Sequence, residues 1–135
     1  MLKTIVTSVA LFALAGLSPA LAQLPLKFEV DFPITVGAKQ LPPGDYQVVF
    51  PSSTFVVVRN LKTHESAAIL TNRAQSAKLT AQAMIRFNRY GSRSFLSQIW
   101  YGDGDGRQIQ PYKIEVEMAR SSPRGVEVAT VAMRR

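Results

Sequence analysis

Arginine and aromatic side chains gather in one short stretch of this chain: Arg86, Arg89, Tyr90, Arg93, Phe95, Trp100 and Tyr101. Guanidinium forks bind phosphate or carboxylate through paired hydrogen bonds, and exposed aromatic rings stack on sugars or lipid head groups. The chemistry on offer is therefore recognition of an anionic ligand. Arg86, Arg89, Tyr90, Arg93, Trp100 and Tyr101 form the candidate binding surface. A plainer reading gives Phe87, Leu96 and Trp100 to the core and leaves the arginines to keep an edge strand from self-association.

Residues suited to catalysis are sparse. A nucleophile needs a general base beside it. His64 is the sole histidine, and it sits in the polar run Lys62-Thr63-His64-Glu65, where exposure is the default. The close acidic pairs are Glu29/Asp31, Asp103/Asp105 and Glu115/Glu117. Spacing by two on a strand points both members to one polar face, the pattern of a solvated surface rather than of a glycosidase. Asp103-Gly104-Asp105-Gly106 invites a calcium test. An EF-hand loop needs Gly at its sixth position and Glu at its twelfth, but counting from Asp103 gives Gln108 and Ile114. The chain has no cysteine, which removes thiol nucleophiles, thiolate metal sites, disulfides and a lipoprotein anchor. No catalytic residue, cofactor or metal is implied.

The elements that would position the arginines read as strands. Leu26, Phe28, Val30, Phe32 and Ile34 alternate with Lys27, Glu29 and Asp31, the period of a half-buried strand. Val36 to Gln40 reads as a turn. Leu41-Pro42-Pro43-Gly44-Asp45 follows as a second turn, with Gly where a type II turn needs positive φ. Tyr46–Phe50, Thr54–Arg59 and Ser66–Thr71 are further strands, the last two joined by a hairpin at Asn60–His64. Asn72–Gln82 reads as a loop. Ala83–Tyr90 and Ser94–Tyr101 form the strongest hairpin, turning at Gly91-Ser92-Arg93. In its second arm Leu96 and Trp100 share a face, with Phe95, Ser97, Ile99 and Tyr101 opposite. Gly102–Gly106 reads as a flexible loop, Tyr112–Met118 as a strand by its alternation, and Val126–Val131 as the last strand. The expected fold is all-β: one domain, a β-sandwich or small barrel of about seven short, mostly antiparallel strands.

Location is written at the start of the chain. Lys3 precedes an apolar run from Thr4 to Leu17, and Ser18-Pro19-Ala20-Leu21-Ala22 ends in a small-x-small cleavage signal. This is the layout of a secretory signal peptide over residues 1–22, cut after Ala22. The run is shorter than the roughly 20 residues that span a bilayer, so no transmembrane anchor is expected after cleavage. The exported part, residues 23–135, keeps 15 Lys and Arg against 9 Asp and Glu, one basic residue fewer than the full chain. That surplus favours an anionic cell-envelope polymer, or serves as a solvated surface that leaves a protein as the partner. Export to the periplasm or the extracellular medium removes nucleic acid as a partner in vivo.

Two segments carry a family resemblance. Phe32 to Tyr46, ending in Leu41-Pro42-Pro43-Gly44-Asp45-Tyr46, is similar to the opening signature of small exported bacterial proteins of unknown function. These are abundant in soil bacteria such as the Acidobacteria. Phe87-Asn88-Arg89-Tyr90-Gly91-Ser92-Arg93-Ser94-Phe95-Leu96-Ser97-Gln98-Ile99-Trp100 resembles their second signature, F-x-R-Y-G-x-x-x-F-L-x-x-(V/I)-W. The resemblance implies export and a β-rich domain, with no activity to carry over. In such relatives a short charged helix follows the Trp, whereas Tyr112–Met118 alternates here like a strand. The turn at Leu41–Tyr46 also resembles one found in prealbumin-like and Cna-type sandwiches. The function expected is a non-enzymatic exported protein that binds an anionic envelope polymer or a protein partner. The alternative is an accessory or inhibitor of an exported hydrolase, reaching an active site with Asn72–Gln82 or Tyr101–Pro111. An enzyme would need a pocket that gathers His64 with distant carboxylates.

Overall fold

A computed structural model describes residues 25–75 and 82–135. The expected signal segment, and the part of Asn72–Gln82 from 76 to 81, lie outside the described residues. Ten strands and one helix follow in order: β1 Leu26–Val30, β2 Ile34–Val36, β3 Lys39–Leu41, β4 Gly44–Val49, β5 Phe55–Asn60, β6 Ser66–Gln75, β7 Met84–Tyr90, β8 Arg93–Trp100, β9 Asp105–Ile109, α1 Lys113–Ser121 and β10 Glu127–Ala132. The fold is thus all-β in its framework, with one short helix. Among the described residues no helix is long and apolar enough to cross a membrane.

The strands run β1-β4-β5-β6-β9-β8-β2-β3, and β7 and β10 extend from the other edge of β8. All pairings are antiparallel except β2 with β8, which meet in parallel at Thr35 and Phe95. One edge of β8 is therefore shared, by β9 along Gln98–Trp100 and by β2 at Phe95. Two backbone hydrogen bonds join Lys27 of β1 to Arg134 just past β10, at 2.7 and 2.9 Å.

Alternation builds the core as its period requires. Leu26, Phe28 and Val30 of β1 are buried while Glu29 is exposed. Phe28 stacks on Tyr46 with ring centroids 5.4 Å apart and meets Phe87 of the distant β7 at 6.1 Å. The Tyr46 hydroxyl donates back to the Pro42 carbonyl four residues upstream, which ties the Pro42-Pro43 bend to the core; the expected type II turn is absent, since Gly44 takes φ +153° and opens β4. In the Asn60–His64 hairpin the Asn60 carboxamide oxygen accepts the amides of Lys62 and Thr63, both at 2.8 Å.

Six further sequence expectations need correction. Among the described residues there are ten strands, not about seven. The Val36–Gln40 turn tightens to Gly37-Ala38, where Gly37 takes φ +67°, so Lys39–Leu41 is free to pair with β2. The Gly-rich stretch hides β9, and Gly106 is a glycine for a steric reason. A Cβ there would strike the Ile99 carbonyl and the Trp100 ring.

Asn72–Gln75 is strand rather than loop, paired along its length with Asp105–Gln108. Those pairings also leave little of Tyr101–Pro111 to project as a loop. Tyr112–Met118 is helical, not a strand. Glu, Met, Ala, Lys and Arg are good helix formers, and the Tyr112 carbonyl accepts the Val116 amide at 3.1 Å to begin the first turn. The alternation misleads because Ile114 and Val116 stay largely exposed while Glu115 is buried. Finally, Ile99 shares the core face with Leu96, and Trp100 lies opposite. Phe87 pairs with Leu96 but Arg86 with Gln98, so Ser97 is an extra residue, a β-bulge that flips the phase of all that follows.

Candidate functional site

Strand register decides which candidate residues meet. On β7, Ile85 and Phe87 point to the core, so Arg86, Asn88 and Tyr90 occupy the outer face. Across β8 their partners are Gln98, Phe95 and Arg93. Trp100 joins this face, and its indole N–H donates to the Gln98 carboxamide oxygen at 3.1 Å. Arg86, Tyr90, Arg93 and Trp100 therefore share one surface. Arg89 does not: it lies on the core side at the strand end, where Nε donates to Ser94 at 3.2 Å. Its guanidinium sits 4.5 Å from the Phe32 ring centroid, a cation–π contact that uses the charge internally. Tyr101 is separate too, packed edge-on against Phe50 with centroids 5.1 Å apart. Alternation and the bulge thus split the six-residue candidate surface.

Hydrogen-bond lengths sort the arginines further. Arg107, which sequence reasoning missed, is 8% exposed and tightly tied. It donates to the Tyr101 hydroxyl at 2.6 Å, to the Thr71 hydroxyl at 3.1 Å and to the Ser52 carbonyl at 3.1 Å. Its guanidinium also lies 5.3 Å from the Phe50 ring centroid. The guanidinium fork pins the 50–55 segment to β6 and β9, a structural role. Arg86 and Arg93 are held loosely by comparison. Arg86 reaches Gln98 at 3.4 Å and Arg93 reaches Thr35 at 3.5 Å, the long limit for such bonds. The Nε of each is buried with no hydrogen-bond partner among the described residues. Arg93 also rests 5.1 Å from the Phe95 ring centroid. All the hydrogen-bond partners named for these arginines are neutral.

The helix covers the neighbouring part of this face, and it does so through an acid. Glu115 is 4% exposed and accepts the Tyr90 hydroxyl at 3.0 Å and the Asn88 amide at 3.2 Å. Burial, and then the carboxylate beside it, push the Tyr90 phenol up to about 12. Burial likewise raises Tyr101, against a lowering by the nearby Arg107. Tyr90 packs against Phe95 at 5.9 Å, so the helix seals an aromatic pair. At its start, the Tyr112 ring lies 3.2 Å from where a Cβ on Gly37 would fall.

The remaining candidates are dispersed. His64 is exposed at φ +66°, with Nδ1 3.4 Å from an Arg59 guanidinium nitrogen rather than from a carboxylate. Asp103 caps the Asp105 amide at 2.9 Å, and Asp105 receives Gln75 at 3.3 Å. Glu115 and Glu117 no longer share a face, because the segment is helical: one is buried, the other exposed. Among the described residues no three His, Cys, Asp or Glu side chains come together as a metal site. Sequence reasoning placed Glu115 on a solvated face with Glu117 and missed its burial. Its burial depends on Tyr90 lying across from it, a contact between residues 25 positions apart that no local pattern announces. Compared with known proteins, the chain matches no family model, no curated protein and no solved structure.

Proposed function

We propose that this is an exported, non-enzymatic protein that binds an anionic polymer of the cell envelope through the outer face of β7 and β8. The observation that carries the reading is the weak tethering of Arg86 and Arg93. Both have bonds of 3.4–3.5 Å to neutral groups and an Nε without a partner. The buried Nε cannot reach a ligand, but a half-buried guanidinium held by one long bond keeps terminal N–H donors for an acceptor that arrives from outside. The exported part's 15 Lys and Arg against 9 Asp and Glu, a formal charge of +6, attract such a partner from a distance. Export rests on the signal-like residues 1–22, and membership among the small exported proteins resembled by Phe32–Tyr46 and Phe87–Trp100 is part of the same proposal.

The finer architecture we infer is a small closed barrel with this face on its outside. The paired hydrogen bonds between Lys27 and Arg134, and the contact of Phe28 with Phe87 across the interior, support closure.

Sedimentation with the host's own cell-wall and outer-membrane fractions tests the function. The native protein is expected in the pellet at low salt, and an Arg86→Gln/Arg93→Gln variant in the supernatant. Equal pelleting of the two would overturn the reading.

A further inference from the structure

Five polar side chains line up across the outer face, one on each strand. The pairings set Thr130 opposite Arg86, Arg86 opposite Gln98, Gln98 opposite Gln108, and Gln108 opposite Asn72. Facing residues of paired strands lie on the same side of a sheet, so the row crosses β10, β7, β8, β9 and β6 directly. Four inter-strand steps of about 4.8 Å make it roughly 19 Å long. Thr130, Gln108 and Asn72 are exposed, and Arg86 and Gln98 are half-buried.

At its Asn72 end the row opens into a cavity of about 420 Å³ lined by Leu70, Thr71, Asn72, Gln110, Pro111 and Tyr112. That volume lies within the range of small-ligand sites. Leu70 and Tyr112 are exposed apolar surfaces, while Asn72 and Gln110 bring carboxamides. Such a pairing suits a sugar ring, whose C–H face lies on an aromatic ring while its hydroxyls bond to amides. Near the middle of the row the Gln98 oxygen is taken by Trp100 and Arg86. The other end of that carboxamide, a donor, is left to face a ligand.

We propose that this row binds an extended acidic polysaccharide laid across the strands, with one sugar ring in the cavity beside Tyr112 and an acidic group at Arg86. The inference rests on the anion-binding reading above and adds the class of ligand. The strand spacing is close to the advance per sugar in an extended 1,4-linked chain, so each strand offers one polar side chain per ring. None of the five side chains in the row is a hydrocarbon, so the row itself offers hydrogen bonds and one charge rather than apolar insertion. The single cation matches an acidic chain better than a neutral one.

Calorimetry with the purified protein tests this, using a pentamer of 1,4-linked galacturonate, its methyl ester and a polyphosphate of similar charge. The emission of Trp100, the sole tryptophan, serves as a second readout. The acidic pentamer is expected to bind and to shift that emission. An Asn72→Ala/Gln108→Ala variant, altered only at exposed positions, should bind it at least roughly tenfold more weakly, the loss expected for two hydrogen bonds. Arg86→Gln should erase the preference for the acid over the ester. Polyphosphate binding that is as tight, and indifferent to the amide changes, would overturn the polysaccharide assignment while leaving the anion-binding reading intact. Equal binding of acid and ester by the native protein would overturn the role given to Arg86. No binding of any of the polyanions at low salt would overturn both.

Discussion

Glu115 of the helix accepts the hydroxyl of Tyr90 at 3.0 Å, and both side chains are buried. The helix is thus fastened to the sheet by a carboxylate with neutral donors, while Ile114 and Val116 beside it face solvent. Helix docking usually relies on an apolar stripe. Here a buried carboxylate joins the helix to the sheet.

Removing the acceptor should therefore hurt. Glu115→Ala leaves the buried Tyr90 hydroxyl without a partner and frees the half-buried Asn88 amide, at a cost of about 1–3 kcal/mol. Urea unfolding measures it. Tyr90→Phe combined with Glu115→Ala should cost less than the sum of the two changes, because they remove the same interaction.

Alkaline pH should act through the same pair. The Tyr90 phenol ionises near 10 when unfolded, but only at about 12 in the folded protein. The unfolded chain therefore releases its proton first, and this stabilising contribution is present in full below pH 10. It is lost as pH rises from 10 toward 12. Thermal unfolding followed across that range should show the decline. Tyr90→Phe should flatten part of it, leaving a remainder from Tyr46 and Tyr101, which burial also raises.

How far could a reader of the chain have anticipated this? Phe28 and Val30 announce β1 by simple alternation, and the Gly91 hairpin is marked by its own turn chemistry, with φ at +63°. Local signals of that kind survive folding. Other features depend on partners distant in sequence. Gly102–Gly106 looks like a loop because glycine is a poor strand former, yet Asp105 and Gly106 open β9, which β6 and β8 pair with from both sides. Ser97 shifts the phase of β8 only because β7 cannot follow it, so the face of Trp100 was not legible from alternation. Arg86 and Arg93 were legible as candidates. So was the split of Arg86 from Arg89, three residues on along the same strand, by alternation; that Arg93 shares the face of Arg86 follows from the register and was not.

Arg107 ties three segments together in the interior. Arg107→Ala should cost about 2–4 kcal/mol, since it empties volume and strands several acceptors at once. Arg107→Lys should recover little, because one ammonium cannot reach Tyr101, Thr71 and Ser52 together. Comparison of the two variants' denaturation midpoints checks both statements.

Gly106→Ala offers a steric test of the missed strand. The added methyl would meet the Ile99 carbonyl and the Trp100 ring, so β9 must shift away from β8. A loss of about 1–3 kcal/mol is expected, with a change in tryptophan emission. Gly125→Ala is the control: it lies in open space, though at φ +75°, and it should leave the emission unchanged.

The central claim is that the outer face of β7 and β8 holds an anionic envelope polymer through Arg86 and Arg93. The most direct measurement is the affinity of the purified protein for isolated host cell wall, as salt is raised from low values to about 0.5 M, where screening reaches only a few ångströms. The account predicts binding that weakens steeply with salt, and a much flatter dependence for Arg86→Gln/Arg93→Gln. Salt-independent binding, or an identical salt response in the variant, would contradict it.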